Sequence, residues 1–142
     1  MRNVDFIIVH CADTYADMDT RAADIDRWHK DRGWDGIGYH YVICRDGKIE
    51  EGRPIEKPGA HAYNPGQGPG NGNSIGVCLI GGKARPGENA VNFTGEQWES
   101  LRVLCAKMEQ QFPGAEIIGH CDVPNSGKTC PNFNVKAWRE AR

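Results

Sequence analysis

The chain has 142 residues and a formal net charge of −2, with 17 Lys and Arg against 19 Asp and Glu. Its length fits one domain, and 39% hydrophobic with 25% charged residues is typical of a soluble globular protein. The balanced charge argues against a nucleic-acid partner bound through its phosphates, and the longest apolar runs, such as Phe6–Val9, are too short to insert into a membrane.

The N-terminal residues Met1–Asp5 lack the apolar stretch and the cleavage site of a signal peptide. We therefore expect the chain to stay in the reducing cytoplasm in which it is made. An even number of cysteines indicates a disulfide framework only in a secreted protein. Most of the six are therefore expected to be small core residues, and one or more to bind a metal: Cys11, Cys44, Cys78, Cys105, Cys121 and Cys130.

Two elements are predicted near the start of the chain. Val4–Val9 is a short apolar run rich in β-branched residues, which predicts a buried strand that ends at His10. Thr20 is predicted to cap a helix that runs to Arg32 and is stopped by Gly33. The apolar residues of this helix recur every three positions on one face: Ala22, Ile25 and Trp28.

A strand, a hairpin and a long loop are predicted next. Tyr39–Cys44 indicates a strand, and the Asp-Gly pair in Arg45–Lys48 predicts a tight hairpin into a second strand at Ile49. Residues 57–74 contain five Gly, three Pro and three Asn. Such a stretch is either an interdomain linker or a long loop inside one domain. We favour the loop, because too little chain lies on either side for two cores.

Strands and helices alternate in the second half of the chain. Ser74–Gly81 is apolar on both faces, as in a central strand, and Ala115–Gly119 indicates another strand. Thr94 and Gln97 form a capping box. The helix that follows has apolar residues at alternating steps of three and four: Trp98, Leu101, Cys105, Met108 and Phe112.

A loop over Pro124–Pro131 and a short helix over Val135–Arg142 are predicted to close the chain. The order of the elements predicts an α/β fold, with a single mixed central β-sheet flanked by helices. We expect a single domain over residues 1–142.

A metal site is one interpretation of two histidines that share a context. His10 and His120 each end an apolar strand, and sites in open α/β sheets form in the crevice outside strand ends. Zinc binds histidine nitrogen and thiolate sulfur, and a catalytic site keeps one position for water. The third ligand is left open between Cys130, Cys121 and Asp122, and the alternative is two loop histidines beside a buried thiol.

The residue types alone give no role to the other candidates. His29 lies among charged neighbours and is expected on the solvated face of its helix, and His61 stands in the Gly-rich stretch as an exposed loop histidine. Tyr39 is expected to be a core aromatic and Lys128 a solvated loop lysine. No pair of carboxylates stands out as a glycosidase would require.

Taken together, the motifs resemble those of a known family, the zinc-dependent N-acetylmuramoyl-L-alanine amidases of type 2, which include the T-odd phage lysozymes and the peptidoglycan recognition proteins. The matches run in order from about residue 6 to residue 138. The matching segments are Ile8–Ala12, Trp28–Lys30, Gly33–Trp34, Gly38–Tyr41, Arg45–Gly47, Gly59–Ala62, Asn73–Leu79, Asn92–Thr94, Gly119–His120 and Lys128–Pro131.

The resemblance implies one Zn²⁺ per chain and a role for each matching residue. The zinc ligands would be His10, His120 and Cys130, and the catalytic residues Tyr39 and Lys128. His61 matches a histidine near the substrate groove and is expected to bind substrate. The loop between His120 and Cys130 is longer than in the nearest phage enzymes, with inserted residues near Asn125–Gly127.

The implied reaction is cleavage of the amide between N-acetylmuramic acid and L-alanine in peptidoglycan. We expect a monomeric phage endolysin, made in the host cytoplasm, that reaches the wall when the membrane is opened. The alternatives are an amidase that recycles muropeptides inside the cell, a non-catalytic peptidoglycan-binding module and, least favoured, a glycosidase. A further alternative, taken from a second role among phage lysozymes, is a regulatory partner of a phage RNA polymerase, to which no residue of this sequence points.

Overall fold

A five-stranded mixed β-sheet forms the centre of the fold in a computed structural model that describes residues 2–124 and 126–141. A second sheet consists of two short parallel strands. In chain order the strands are β1 (Phe6–Cys11), β2 (Thr14–Tyr15), β3 (Tyr41–Ile43), β4 (Ile49–Glu51), β5 (Ser74–Leu79), β6 (Gly82–Lys83) and β7 (Glu116–Gly119). The helices are α1 (Ala22–Asp31), α2 (Gly95–Gln111) and α3 (Val135–Glu140). Two 3₁₀ turns cover Asn71–Asn73 and His120–Asp122.

Strand order brings distant parts of the chain to one edge of the large sheet. The order is β4-β3-β5-β1-β7, and β1 pairs in parallel with both β5 and β7. His10 is opposite Cys78, and Val9 is opposite Gly119. Because these strands are parallel, their carboxyl ends meet at the same edge, where His10 is the last residue but one of β1 and His120 directly follows β7.

The β3–β4 hairpin makes the sheet mixed, as the sequence predicts. The two strands pair antiparallel with Ile43 opposite Ile49. Gly47 has a φ of +87°, a conformation that the Asp-Gly turn requires and that other residues rarely adopt.

Helices cover both faces of the sheet. On one face, residues of α2 and α3 share a core cluster with β5 residues such as Val77 and Leu79. On the other, Ile25 of α1 packs beside Cys78 and Ile80. All six residues of β5 are buried, so the predicted central strand is confirmed, and the α/β fold class is confirmed with it.

The N-terminus of α2 carries a buried polar anchor. Thr94 Oγ1 accepts the N–H of Gln97, and Gln97 Oε1 accepts the N–H of Thr94, which is the predicted capping box. Gln97 is fully buried, and its Nε2 donates to the carbonyls of Ile43 and Ile80, at 3.1 and 2.8 Å. The glutamine therefore ties the helix to two strands.

We expect Gln97→Leu to lower the free energy of unfolding by about 3 kcal/mol, because leucine leaves several buried donors and acceptors without partners. Urea denaturation followed by circular dichroism measures the loss. The matched control is Gln110→Leu on the exposed face of the same helix, which should change stability by no more than about 0.5 kcal/mol. Equal losses in the free energy of unfolding for the two variants would show that the hydrogen bonds of Gln97 do not stabilise the fold.

Several predicted boundaries differ from the structure. Helix α1 begins at Ala22 after Arg21, not after Thr20, because the Asp24 carboxylate accepts the N–H of Arg21. The short β2–β6 pair is not predicted from the sequence. The closing helix ends at Glu140, and the last residue of its predicted range, Arg142, lies outside the described residues, as does Asn125 of the predicted loop. Within the described residues no helix has the length and apolar character needed to cross a membrane.

Candidate active site

Three potential metal ligands converge at the carboxyl edge of the sheet. The ligand atoms of His10, His120 and Cys130 all lie within 4.8 Å of one another. The imidazole rings of His10 and His120 have centroids 4.4 Å apart. Among the described residues this is the one group of three histidine, cysteine or acidic side chains placed to hold a metal ion.

Each of the three is held by a different part of the fold. His10 is the penultimate residue of β1 and is 1% exposed, and its backbone is paired with Cys78 of β5. His120 begins the 3₁₀ turn directly after β7. Cys130 lies in the following loop, and its carbonyl accepts the N–H of Cys121 at 2.9 Å, which joins that loop to the turn.

The Cys130 sulfur has a donor aimed at it. The backbone N–H of Cys11 points to Cys130 Sγ at 3.0 Å. A hydrogen bond of this kind strengthens when the acceptor is charged, so it favours a thiolate. The pKa of the Cys130 thiol is raised by its hydrogen bond with the Cys11 thiol and by burial. A bound cation reverses this preference, since a coordinating thiol is deprotonated.

The two rival third ligands are engaged elsewhere or directed away. Asp122 Oδ2 accepts the N–H of Gly119 at 2.9 Å, which caps the 3₁₀ turn. Cys121 is exposed. Neither belongs to the converging group. The geometry therefore favours Cys130 among the alternatives that the sequence leaves open.

Both histidines of the group are suited to bind a metal as neutral imidazoles. The pKa of His10 is lowered well below its usual value by burial, and further by the nearby charges of His61 and His120. Burial also lowers the pKa of His120, with a smaller contribution from the positive charge of Lys128. Two imidazoles and a thiol are the donors that zinc prefers, so this set fits Zn²⁺.

Tyr39 and Lys128 lie beside the converging group. The ring centroid of Tyr39 is 5.1 Å from that of His10. The pKa of the Tyr39 hydroxyl is raised well above its usual value by burial, with smaller contributions from the neighbouring cysteines, so it remains a proton donor at neutral pH. Lys128 is exposed and lines the same groove as Tyr39 and His120.

An open groove of about 630 Å³ runs over these residues. Its rim has two exposed aromatic rings, Trp34 and Tyr63. Arg32 is also in the lining, with its guanidinium carbon 5.5 Å from the centre of the Trp34 ring. A depression of about 730 Å³ between α1, β4 and α2 is larger, but the converging histidines and cysteine are not among its lining residues. The smaller groove is therefore the candidate active site.

His61 also lines this groove and contacts His10. Its Nδ1 is 2.8 Å from His10 Nε2. Asn71 Oδ1 accepts the N–H groups of both His61 and Ala62, each at 2.8 Å, which fixes this part of the long loop. The sequence alone indicates an exposed loop histidine, whereas the structure shows a half-buried one with defined partners.

The expectation that His29 is a solvated surface residue is wrong. His29 is 7% exposed, and its Nδ1 accepts the N–H of Gly38 at 2.9 Å. The ring of Trp34 packs against it, with centroids 4.6 Å apart. The chain after α1 folds back over this face, so the charged neighbours in sequence do not indicate its exposure.

His40 should make stability depend on pH. It is 1% exposed, donates through Nε2 to the Lys57 carbonyl and accepts the Gly76 N–H at Nδ1. Burial is the main reason that its pKa falls from 6.5 to about 4, and the positive charges of Arg2 and Arg53 add to it. As the pH falls, His40 takes up a proton in the unfolded chain before it does so in the folded protein. The contribution of His40 to the free energy of unfolding is therefore complete above pH 6.5 and is lost as the pH falls to about 4.

We therefore expect His40→Gln to be less stable than the wild type at pH 7 and the difference to narrow by up to about 3 kcal/mol as the pH falls to 4. Urea denaturation at several pH values measures this difference. A difference that stays constant across the range would contradict the assignment to His40.

Comparison with known proteins decides the family. Residues 1–133 match the family model described as N-acetylmuramoyl-L-alanine amidase. The chain belongs to this amidase family. The amidase is 41% identical over 134 residues to the endolysin of Klebsiella phage KP32, covering 94% of this chain and 84% of the relative. It is 40% identical over 138 residues to the endolysin of Escherichia phage T7, covering 97% and 87%.

A solved structure agrees with these matches. The N-acetylmuramoyl-L-alanine amidase LysC from Clostridium intestinale URNW is similar with a TM-score of 0.75 and 30% identity, covering 96% of this chain and 82% of that one. The family resemblance, the fold and the enzyme class expected from the sequence are thereby confirmed. The amidase hydrolyses the bond between N-acetylmuramic acid and L-alanine, as the name of its family states.

Proposed function

We propose that this amidase is a zinc-dependent phage endolysin that releases stem peptides from bacterial peptidoglycan. The convergence of His10, His120 and Cys130 within 4.8 Å, beside a groove that His120 lines, carries the proposal. The endolysin relatives of two phages support the lytic role. We further propose that one monomeric catalytic domain is made in the host cytoplasm and reaches the wall once the membrane is opened.

The three proposed ligands indicate where zinc would bind and what it would contribute to the reaction. His10, His120 and Cys130 would hold the ion, three protein ligands being the usual number in a catalytic site. Zinc bound by such a set polarises a carbonyl and lowers the pKa of water to about 7. Both histidines favour the neutral imidazole, and the Cys11 N–H would stabilise the thiolate.

The remaining roles belong to Tyr39 and Lys128. Hydrolysis adds water across the amide, which leaves a carboxylic acid on the lactyl group and a free amine on L-alanine. Negative charge develops on the carbonyl oxygen during attack. Tyr39, whose hydroxyl keeps its proton at neutral pH, and Lys128 line the same groove as His120, and we assign to them the stabilisation of that charge.

Digestion of purified peptidoglycan, with and without a chelator, tests the proposal. The expected products are free stem peptides that begin with L-alanine, lost on chelation and restored by zinc, as identified by mass spectrometry. New reducing sugar ends would instead indicate a glycosidase, and binding without new ends would indicate a recognition module. Faster cleavage of soluble muropeptides than of intact wall would favour the recycling amidase. A pull-down with phage RNA polymerase tests that predicted partner separately.

A further inference from the structure

A series of hydrogen bonds runs from His10 through the groove residue His61 to the buried Ser74. His10 Nε2 is 2.8 Å from His61 Nδ1, and His61 Nε2 is 3.3 Å from Ser74 Oγ. Ser74 is fully buried, and its hydroxyl donates to the Gly70 carbonyl at 2.6 Å. This series of hydrogen bonds therefore joins a candidate metal ligand to the first residue of β5 and to the long loop.

The Gly70 carbonyl, at the end of this hydrogen-bond series, determines where each proton lies. The Gly70 carbonyl has no hydrogen, so the Ser74 hydroxyl must donate to it. Ser74 Oγ then accepts from the Nε2–H of His61, which leaves His61 Nδ1 without a proton. That nitrogen accepts from the Nε2–H of His10, so the unprotonated nitrogen of His10 is Nδ1.

The ring of His61 occupies a closely fitting space. A Cβ on Gly59 would lie 2.4 Å from His61 Cδ2, and a Cβ on Gly76 would lie 2.7 Å from the same ring. Both positions must therefore lack a side chain for the ring to lie where it does. Together with the two hydrogen bonds from the backbone to Asn71, this fixes the ring before any substrate binds.

We propose that His61 and Ser74 are positioning residues that hold His10 in the tautomer whose Nδ1 binds the metal. This inference rests on the proposed zinc site and gives His61 a role beyond lining the groove. A second hydrogen-bonding partner fixes both the tautomer and the orientation of a metal-binding imidazole, and its loss typically weakens metal binding about 10- to 100-fold.

Zinc affinity, measured by competition with a chromogenic chelator, tests the inference. His61→Leu and Ser74→Ala should weaken zinc binding, by about 10- to 100-fold for the leucine variant. His61→Asn is the conservative variant, because its amide oxygen can accept from His10 Nε2, and it should retain most of the affinity. Ser100→Ala is the matched control, since the Ser100 hydroxyl donates to the Gly47 carbonyl away from the site.

Nitrogen-15 NMR of the histidine side chains in the zinc-loaded wild type provides a second test that needs no substitution. His10 should carry its proton on Nε2 and bind zinc through Nδ1, and His61 should carry its proton on Nε2. A proton on His10 Nδ1, or zinc affinity unchanged in both His61→Leu and Ser74→Ala, would overturn the inference. Neither measurement involves turnover, so failure of the peptidoglycan digestion would overturn only the proposed function.

Discussion

Cys130→Ser is expected to lose most of the tightly bound zinc and with it the amidase activity. Loss of an outer partner alone costs about 10- to 100-fold in metal affinity, and loss of a direct ligand should cost at least the upper value. A serine hydroxyl is a poor replacement, because it does not ionise near neutral pH and so offers no charged acceptor to the Cys11 N–H. Elemental analysis after dialysis against a weak chelator measures the bound zinc.

Cys121→Ser provides the matched control for this experiment. It makes the same chemical change at an exposed cysteine nine positions earlier in the chain, outside the converging group. We expect full zinc content and normal activity from it. If Cys130→Ser kept its zinc instead, the third ligand would have to be Asp122 or Cys121.

Tyr39→Phe and Lys128→Ala are each expected to lower kcat by about 10²- to 10³-fold while zinc stays bound. Each removes one donor from the groove wall and leaves the metal ligands intact, so the defect lies in stabilising the developing negative charge. Release of stem peptides from purified wall at saturating substrate measures kcat, and zinc content is measured on the same samples.

The controls for the two donors are Tyr15→Phe and Lys136→Ala. Tyr15 lies on β2, where Lys83 and Arg85 stack on its ring, and Lys136 pairs with Glu116 on the surface. Both should leave kcat within about twofold, since surface substitutions rarely disturb a distant site. A near-normal rate in Tyr39→Phe or in Lys128→Ala would remove that residue from the proposed catalytic set.

The elements that are predictable from sequence are those specified by local interactions. Helix α2 has its capping box at Thr94 and Gln97, and the β3–β4 hairpin has its Asp-Gly turn. In both, the decisive residues are neighbours in the chain. The short β2–β6 pair was not predictable in this way, because its two strands lie far apart in sequence and neither has a pattern of its own.

Only those features of the candidate site that local sequence patterns report are predictable from the sequence. The strand-ending positions of His10 and His120 indicate a shared edge, but only the family resemblance singles out Cys130 from Cys121 and Asp122. The burial of His29 depends on how the chain after α1 folds back, which no local pattern reports. The sequence indicates only that Ser74 begins a strand, and its link to His61 depends on the placement of the long loop beside β5.

His10 and Cys130 lie in parts of the fold that differ in local stability. His10 belongs to β1, which has a hydrogen-bonded strand on each side, whereas Cys130 lies in a loop between a 3₁₀ turn and α3. Central strands open only when most of the protein unfolds, but loops open in small local fluctuations. Metal exchange should therefore proceed by detachment of the Cys130 loop while β1 stays folded. Substitutions that loosen this loop would shorten the residence time of the ion and leave the melting temperature of the apoprotein nearly unchanged.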